Sequence, residues 1–103
     1  MTEHTLGMSD RGREVPVRTG DRIRLRLPEN PTTGYRWSGD FPDLLRLVND
    51  TNDAGGAPGA AGHRVFELDV VAAGRADVRL VHRREWEEVD EGTDSFVVTI
   101  HAA

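Results

Sequence analysis

Four stretches of this chain alternate apolar and polar residues with a period of two. Arg22-Ile23-Arg24-Leu25-Arg26-Leu27 puts Ile23, Leu25 and Leu27 on one face and three arginines on the other. The same period recurs at 63–71 (Phe66, Leu68, Val70 against Glu67, Asp69), at 76–84 (Val78, Leu80, His82) and at 95–101 (Phe96, Val98, Ile100). Alternation of this kind marks half-buried strands. The chain shows no long amphipathic helix and no internal repeat. With 103 residues it has room for one domain and one modest core.

The connections between these strands are legible from turn chemistry. Residues 1–12 are polar and carry Gly7 and Gly12, so a flexible start is expected, with a short strand near 5–8 and the folded domain over 13–103. Glu14-Val15-Pro16-Val17-Arg18 also alternates, but a proline cannot donate to a ladder, which confines this segment to a sheet edge. Thr19-Gly20-Asp21 reads as a turn, and Pro28 as the end of the strand at 22–27. Residues 44–48 could form one turn of helix or another strand. Residues 49–62 are rich in glycine, proline and short polar side chains, and read as one long exposed loop. Ala72-Ala73-Gly74-Arg75 is a tight turn.

Two tryptophans stand in opposite settings. Trp37 falls in a short strand at 35–38 and reads as a core residue. Trp86 lies in an acidic connection, residues 83–94, outside any alternating pattern. Exposed aromatic anchors on loops are often binding residues, so Trp86 is assigned to partner contact. His82 falls on the inward face of its strand and is expected to be a core histidine with its hydrogen bonds satisfied.

Composition removes several classes of function. There is no cysteine, hence no disulfide, thiol chemistry or thiolate metal site. All 13 basic residues are arginine, which excludes Schiff-base chemistry and a P-loop lysine. The formal net charge of -5 leaves no basic surplus for nucleic acid. No run approaches the roughly 20 apolar residues of a membrane span. The N-terminus has neither a basic region nor an apolar run, so no signal peptide is read there. The expected location is cytoplasmic for a full chain and exported if a leader was removed. Arginine, alanine and glycine in place of lysine suggest a GC-rich, bacterial source. No serine sits in a nucleophile elbow, and no histidine spacing suggests zinc. Asp50, Asn52 and Asp53 lack the rest of a calcium-loop pattern. The chain is therefore not read as an enzyme, and no metal or cofactor is expected.

The stretch after the arginine-striped strand is Asn30-Pro31-Thr32-Thr33-Gly34-Tyr35-Arg36-Trp37. Pro31 fixes its own φ and pushes Asn30 toward an extended shape. Thr32 and Thr33 are stiff at χ1, and Gly34 can take the positive φ that closes such a loop. These residues suit a loop presented to a partner in one shape, so that little entropy is lost on binding. As spacing alone, the string would also serve as an ordinary turn between two strands.

The literal string resembles the signature loop of the chagasin family, inhibitors of papain-like cysteine peptidases. Six consecutive positions fit the family's Asn-Pro-Thr-Thr-Gly-aromatic motif, and Trp37 fits its continuation. Gly59-Ala60-Ala61-Gly62 falls where the family carries a Gly-x-Gly-Gly loop, with Ala61 in place of a glycine. Arg84-Glu85-Trp86 falls at the family's Arg-Pro-Trp motif, with Glu85 in place of proline. The resemblance runs from about Val17 to the C-terminus. It implies an all-β, immunoglobulin-like β-sandwich of about seven or eight strands, which suits ~100 residues. It also implies a monomer that inhibits papain-like cysteine peptidases reversibly and tightly. Asn30, Pro31, Thr32, Thr33, Gly34 and Tyr35 would lie over the catalytic pair, Thr32 nearest the thiolate. Gly59, Ala60, Ala61 and Gly62 would flank one side, and Arg84, Glu85 and Trp86 the other. The alternative, kept open by Ala61 and Glu85, is an immunoglobulin-like recognition module for a partner that is not a peptidase.

Overall fold

The computed structural model describes residues 1–29, 34–53, 62–84, 86, 88 and 93–103. The described residues form eight strands and a single 3-10 turn at Met8–Asp10. The strands are β1 (Glu3–Leu6), β2 (Glu14–Val17), β3 (Arg22–Glu29), β4 (Arg36–Ser38), β5 (Leu45–Asp53), β6 (Gly62–Val70), β7 (Gly74–Arg83) and β8 (Asp94–Ala102). They make two four-stranded sheets, ordered β1-β3-β6-β5 and β2-β8-β7-β4. β1 runs parallel to β3 and β2 parallel to β8; the other pairings are antiparallel. The described residues are all-β, as the alternating stretches require, and form the immunoglobulin-like sandwich that the resemblance implies.

The core is built from the inward residue of each alternating pair. Ile23, Leu25, Leu27, Phe66, Leu68 and Val70 face Val78, Leu80, Phe96, Val98 and Ile100 across the sandwich, all buried. Leu27, Leu80, Phe96 and Ile100 are wholly inaccessible to solvent. Burial of such side chains contributes about 1.5–3 kcal/mol each before the entropy of ordering them is set against it. Trp37 is buried on β4, as its strand position predicts. β2 is an edge strand with Pro16 exposed, where the missing N–H is tolerated.

Three expectations need correction. Pro28 does not end its strand: β3 runs on to Glu29, with Pro28 opposite His63 and Glu29 opposite Gly62. β1 flanks β3 only as far as Leu25, so Pro28 sits where β3 has an open side. The loop expected over 49–62 is shorter at both ends. Asn49–Asp53 belong to β5, and Gly62 opens β6. These polar residues have poor strand propensity, but Asp50, Thr51 and Asn52 pair with Phe66, Val65 and Arg64, and tertiary pairing overrides the preference. Residues 1–12 carry β1 and the 3-10 turn. Glu3–Leu6 pair with Arg22–Leu25, somewhat before the strand expected at 5–8.

Asp21, at the entry to β3, is buried and fastens the N-terminus to that strand. Its carboxylate accepts the Thr2 N–H at 3.1 Å and the Arg18 N–H at 3.0 Å, and lies 2.9 Å from His4 Nε2. The His4 hydrogen bond, followed by the Thr2 amide, lowers its pKa from 3.8 to about 2. A carboxylate depressed in the folded state stabilises that state above its unfolded value, and the contribution is lost on protonation. Stability should therefore hold above pH 3.8 and fall as the pH drops through about 2. Asp21→Asn should remove much of that fall, read as denaturant midpoints across an acid titration. A slope unchanged in the variant would exclude Asp21 as its source.

Gly39, just past β4, passes so close to β7 that no side chain fits. A Cβ there would lie 2.3 Å from the Arg79 carbonyl oxygen and 2.9 Å from Leu80 Cδ2. The nearer atom is backbone and cannot rotate away. Gly39→Ala should destabilise the fold by about 1–3 kcal/mol, the range for overpacked sites, in urea unfolding.

Candidate functional site

One end of the sandwich gathers the termini of six strands. β3 leaves and β4 returns there, joined across the two sheets by residues 30–35. β5 ends and β6 begins there, flanking 54–61, and β7 ends and β8 begins there, flanking 84–93. The register makes the gathering tight. Glu29 is paired with Gly62, so the first connection starts beside the end of the second. Arg36 is paired with Arg83, so the first connection ends beside the start of the third. Of the residues assigned to partner contact, Gly34, Tyr35, Gly62, Arg84 and Trp86 are described. Asn30, Pro31, Thr32, Thr33, Gly59, Ala60, Ala61 and Glu85 lie outside the described residues.

Gly34 adopts φ of 78°, the positive value expected for the residue that closes its loop. Beyond it a ladder of flat groups runs from the core to the surface. Trp37 stacks on His82 with ring centroids 4.7 Å apart and planes 11° from parallel. His82 meets Tyr35 at 5.4 Å. The Arg84 guanidinium lies 4.6 Å from the Tyr35 ring centroid and 5.9 Å from that of Trp86. An arginine over an aromatic face is held by the ring's quadrupole, worth roughly 0.5–2 kcal/mol. The ladder ends in Trp86, which is 76% exposed. A cavity of about 500 Å³, lined by Gly34, Arg36, Ser38, Arg83 and Trp86, opens beside it. His82 is half-buried and inward, but its Nε2 has no hydrogen-bond partner among the described residues. The expectation of a satisfied core histidine therefore fails in its hydrogen bonding, because the ring is placed by stacking.

The bases of the connections are held by polar contacts that the alternation pattern conceals. Trp37 donates its indole Nε1–H to the Pro28 carbonyl at 2.8 Å and its backbone N–H to Glu29 Oε2 at 2.8 Å. The buried Glu29 also accepts Asn52 Nδ2 at 3.0 Å and Arg64 NH1 at 3.3 Å. Arg64 turns its other edge to Asp50, with NH2 2.8 Å from Oδ2. That pairing with Asp50, ahead of Glu29, raises the Arg64 pKa. Glu29 falls outside a strand that stops at Pro28, but β3 runs on to it. Continued by two residues, the alternation Ile23, Leu25, Leu27 puts position 29 on the buried face, and a carboxylate there must be bonded. Asn52 and Arg64 carry no signal of their own in the sequence.

Among the described residues no group of three or more histidine, aspartate or glutamate side chains is placed to hold a metal ion. The end of the sandwich presents loop bases that carry the exposed Trp86 beside the half-buried Arg84. Chemically it offers shape, stacking surface and charge.

Residues 16–100 match the sequence model of the family described as "Chagasin family peptidase inhibitor I42". Amoebiasin-2 of Entamoeba histolytica is 28% identical over 102 residues, spanning 94% of this chain and 83% of its own. Chagasin of Trypanosoma cruzi is 28% identical over 117 residues, spanning 96% of this chain and 97% of its own. The crystal structure of the cysteine protease inhibitor EhICP2, also from Entamoeba histolytica, superposes with a TM-score of 0.89 at 26% identity. It covers 99% of this chain and 96% of that one.

The two tryptophans give a direct check on the ladder. Iodide should quench the fluorescence of Trp37→Phe, which keeps the exposed Trp86, far more strongly than that of Trp86→Phe. The reverse order would mean that the exposed end of the ladder has been misplaced.

Proposed function

The chain belongs to the chagasin family of peptidase inhibitors, and from that premise we propose that it inhibits papain-like cysteine peptidases reversibly, tightly and at the active site. The observation that carries the reading is the convergence of three loop bases on one end of the sandwich. Arg84 lies over Tyr35 there, and Trp86 is left exposed beside them. Exposed tryptophan and arginine are the side chains most often found to dominate protein interfaces.

The three connections act as a wedge. Asn30, Pro31, Thr32, Thr33, Gly34 and Tyr35 cover the peptidase's Cys–His pair, with Thr32 nearest the thiolate. Gly59, Ala60, Ala61 and Gly62 follow the substrate track on one side as extended backbone. Arg84, Glu85 and Trp86 hold the other side, Trp86 packing on an apolar or aromatic surface. The inhibitor contributes no reactive group, so it works by excluding substrate and water. Pro31 and the two β-branched threonines restrict the free chain, which reduces the entropy lost on docking. Ala61 and Glu85 depart from the family motifs. A bacterial source is supported by composition alone; the relatives named above are protozoan.

A panel of papain-like peptidases tests the reading. Inhibition should be competitive with substrate and reversible on dilution. A peptidase whose catalytic cysteine is changed to alanine should still bind, because no bond to sulfur is formed. Thr32→Ala should weaken binding modestly. Thr32→Arg should weaken it by about a hundred-fold or more, as expected for a long charged side chain forced into a closed contact at a hot spot. A covalent adduct, or binding that needs the intact thiol, would sink the wedge. A chain that folds and inhibits no member of the panel would favour a recognition module for some other partner.

A further inference from the structure

β3 carries a buried carboxylate at each end. Asp21 at its entry fastens the N-terminal strand, far from the three connections. Glu29, at its exit, is the last residue before the first connection, and its side chain is 1% exposed. Its two oxygens are divided between partners on different strands. Oε2 accepts the backbone N–H of Trp37, on β4, which receives the first connection in the opposite sheet. Oε1 accepts Asn52 on β5 and Arg64 on β6, the two strands that carry the second connection. One carboxylate thus touches both ends of residues 30–35 and both supports of residues 54–61.

We infer that Glu29 is a positioning residue that couples the first two loops, so that a change at Asn52 or Arg64 alters how residues 30–35 meet a peptidase. The inference rests on the inhibitor reading above. A buried carboxylate must keep its donors: stranding it exposes the full desolvation cost, which exceeds what the bonds contribute when made. The strand ends therefore cannot drift apart singly. Moving Trp37 away removes a donor from the same group that Asn52 and Arg64 serve, and hydrogen bonds that share a buried group reinforce one another. Arg64 is held from its other side by Asp50, so its direction toward Glu29 does not depend on Glu29 alone. Trp37 is held in turn by the Pro28 carbonyl, which fixes the N–H that Oε2 receives. Only a fraction of molecules with both loops poised would bind once the joint is loosened. Apparent affinity falls in proportion to that fraction.

The test compares three variants of the full chain, with papain as probe. Glu29→Gln keeps the shape but places an amide NH2 against donors. Asn52→Ala removes one donor from an exposed side chain, so the fold survives if Glu29→Gln does not. Asp21→Asn breaks the comparable cluster at the other end of β3 and serves as control. Inhibition constants are measured well below each variant's melting temperature, alongside amide hydrogen exchange. Glu29→Gln, which weakens every bond to the carboxylate, should lose affinity by about 10- to 100-fold, and Asn52→Ala, which removes one donor of several, by about five-fold. The loss should fall mainly on the association rate. Asp21→Asn should stay within about two-fold of the parent although it too is less stable. Exchange at the Trp37 amide should quicken in the Glu29 and Asn52 variants, while Leu80 and Phe96 stay protected. Parent-like inhibition by both site variants overturns the inference. So does an equal loss in Asp21→Asn, which would tie affinity to global stability. If the parent itself inhibits no papain-like peptidase, the functional reading fails instead, and exchange at Trp37 in Asn52→Ala alone decides the coupling.

Discussion

Trp37 is bound through both its backbone and its indole by the two residues that end β3, and the end of the molecule where the three connections gather is built around that junction. The indole N–H and the amide N–H each lie 2.8 Å from their acceptors on Pro28 and Glu29. β3 is in one sheet and β4 in the other, so these two bonds also join the sheets. The ring itself is core, packed in the cluster that includes Leu27 and Leu80. Its opposite face supports His82, which supports Tyr35, which supports Arg84. The exposed Trp86 is thus connected to the core by a short series of stacked planar groups. Planar groups with few rotatable bonds lose little freedom when ordered, which suits a surface that must hold its shape before a partner arrives.

The polar contacts divide into two kinds with different weights. On the outward face of the first sheet Arg22 bonds Asp69 at 2.9 Å, and Arg46 reaches the same carboxylate at 3.3 Å. The Arg22 hydrogen bond holds the Asp69 carboxyl below its ordinary pKa. Pairs this open to water are screened by salt and contribute little each. The two clusters at the ends of β3 differ because their carboxylates are buried and accept several donors at once. With no cysteine to staple the chain, such clusters are a means of fixing where loops and termini leave a small sandwich. They also localise sensitivity, since a lost donor there cannot be replaced by water without opening the structure.

Period two and turn residues were enough to determine an all-β chain with its inward residues named. Ile23, Leu25, Leu27, Phe66, Leu68, Val70, Val78, Leu80, Phe96, Val98 and Ile100 are all buried as their alternation requires. The same local logic separated the two tryptophans correctly and placed positive φ at Gly34. These features are local: each depends on side-chain alternation or on the steric freedom of one residue.

What the tertiary structure alone decided is where polar residues go once strands are paired. Asn49–Asp53 look like loop by propensity, yet they are strand because Phe66, Val65 and Arg64 lie opposite them. Pro28 looks like a terminator, yet β3 passes through it because β1 has already left that side. Glu29 looks like a surface charge before a turn, yet it is buried with donors from β4, β5 and β6. Asn52 and Arg64 stand 23 and 35 residues away from Glu29 in the chain, and no local pattern links them. Sequence periodicity reports which face of a strand a residue occupies. Which strands meet, and therefore which buried charge finds its partners, is set by packing between distant segments, and only the folded chain contains that information.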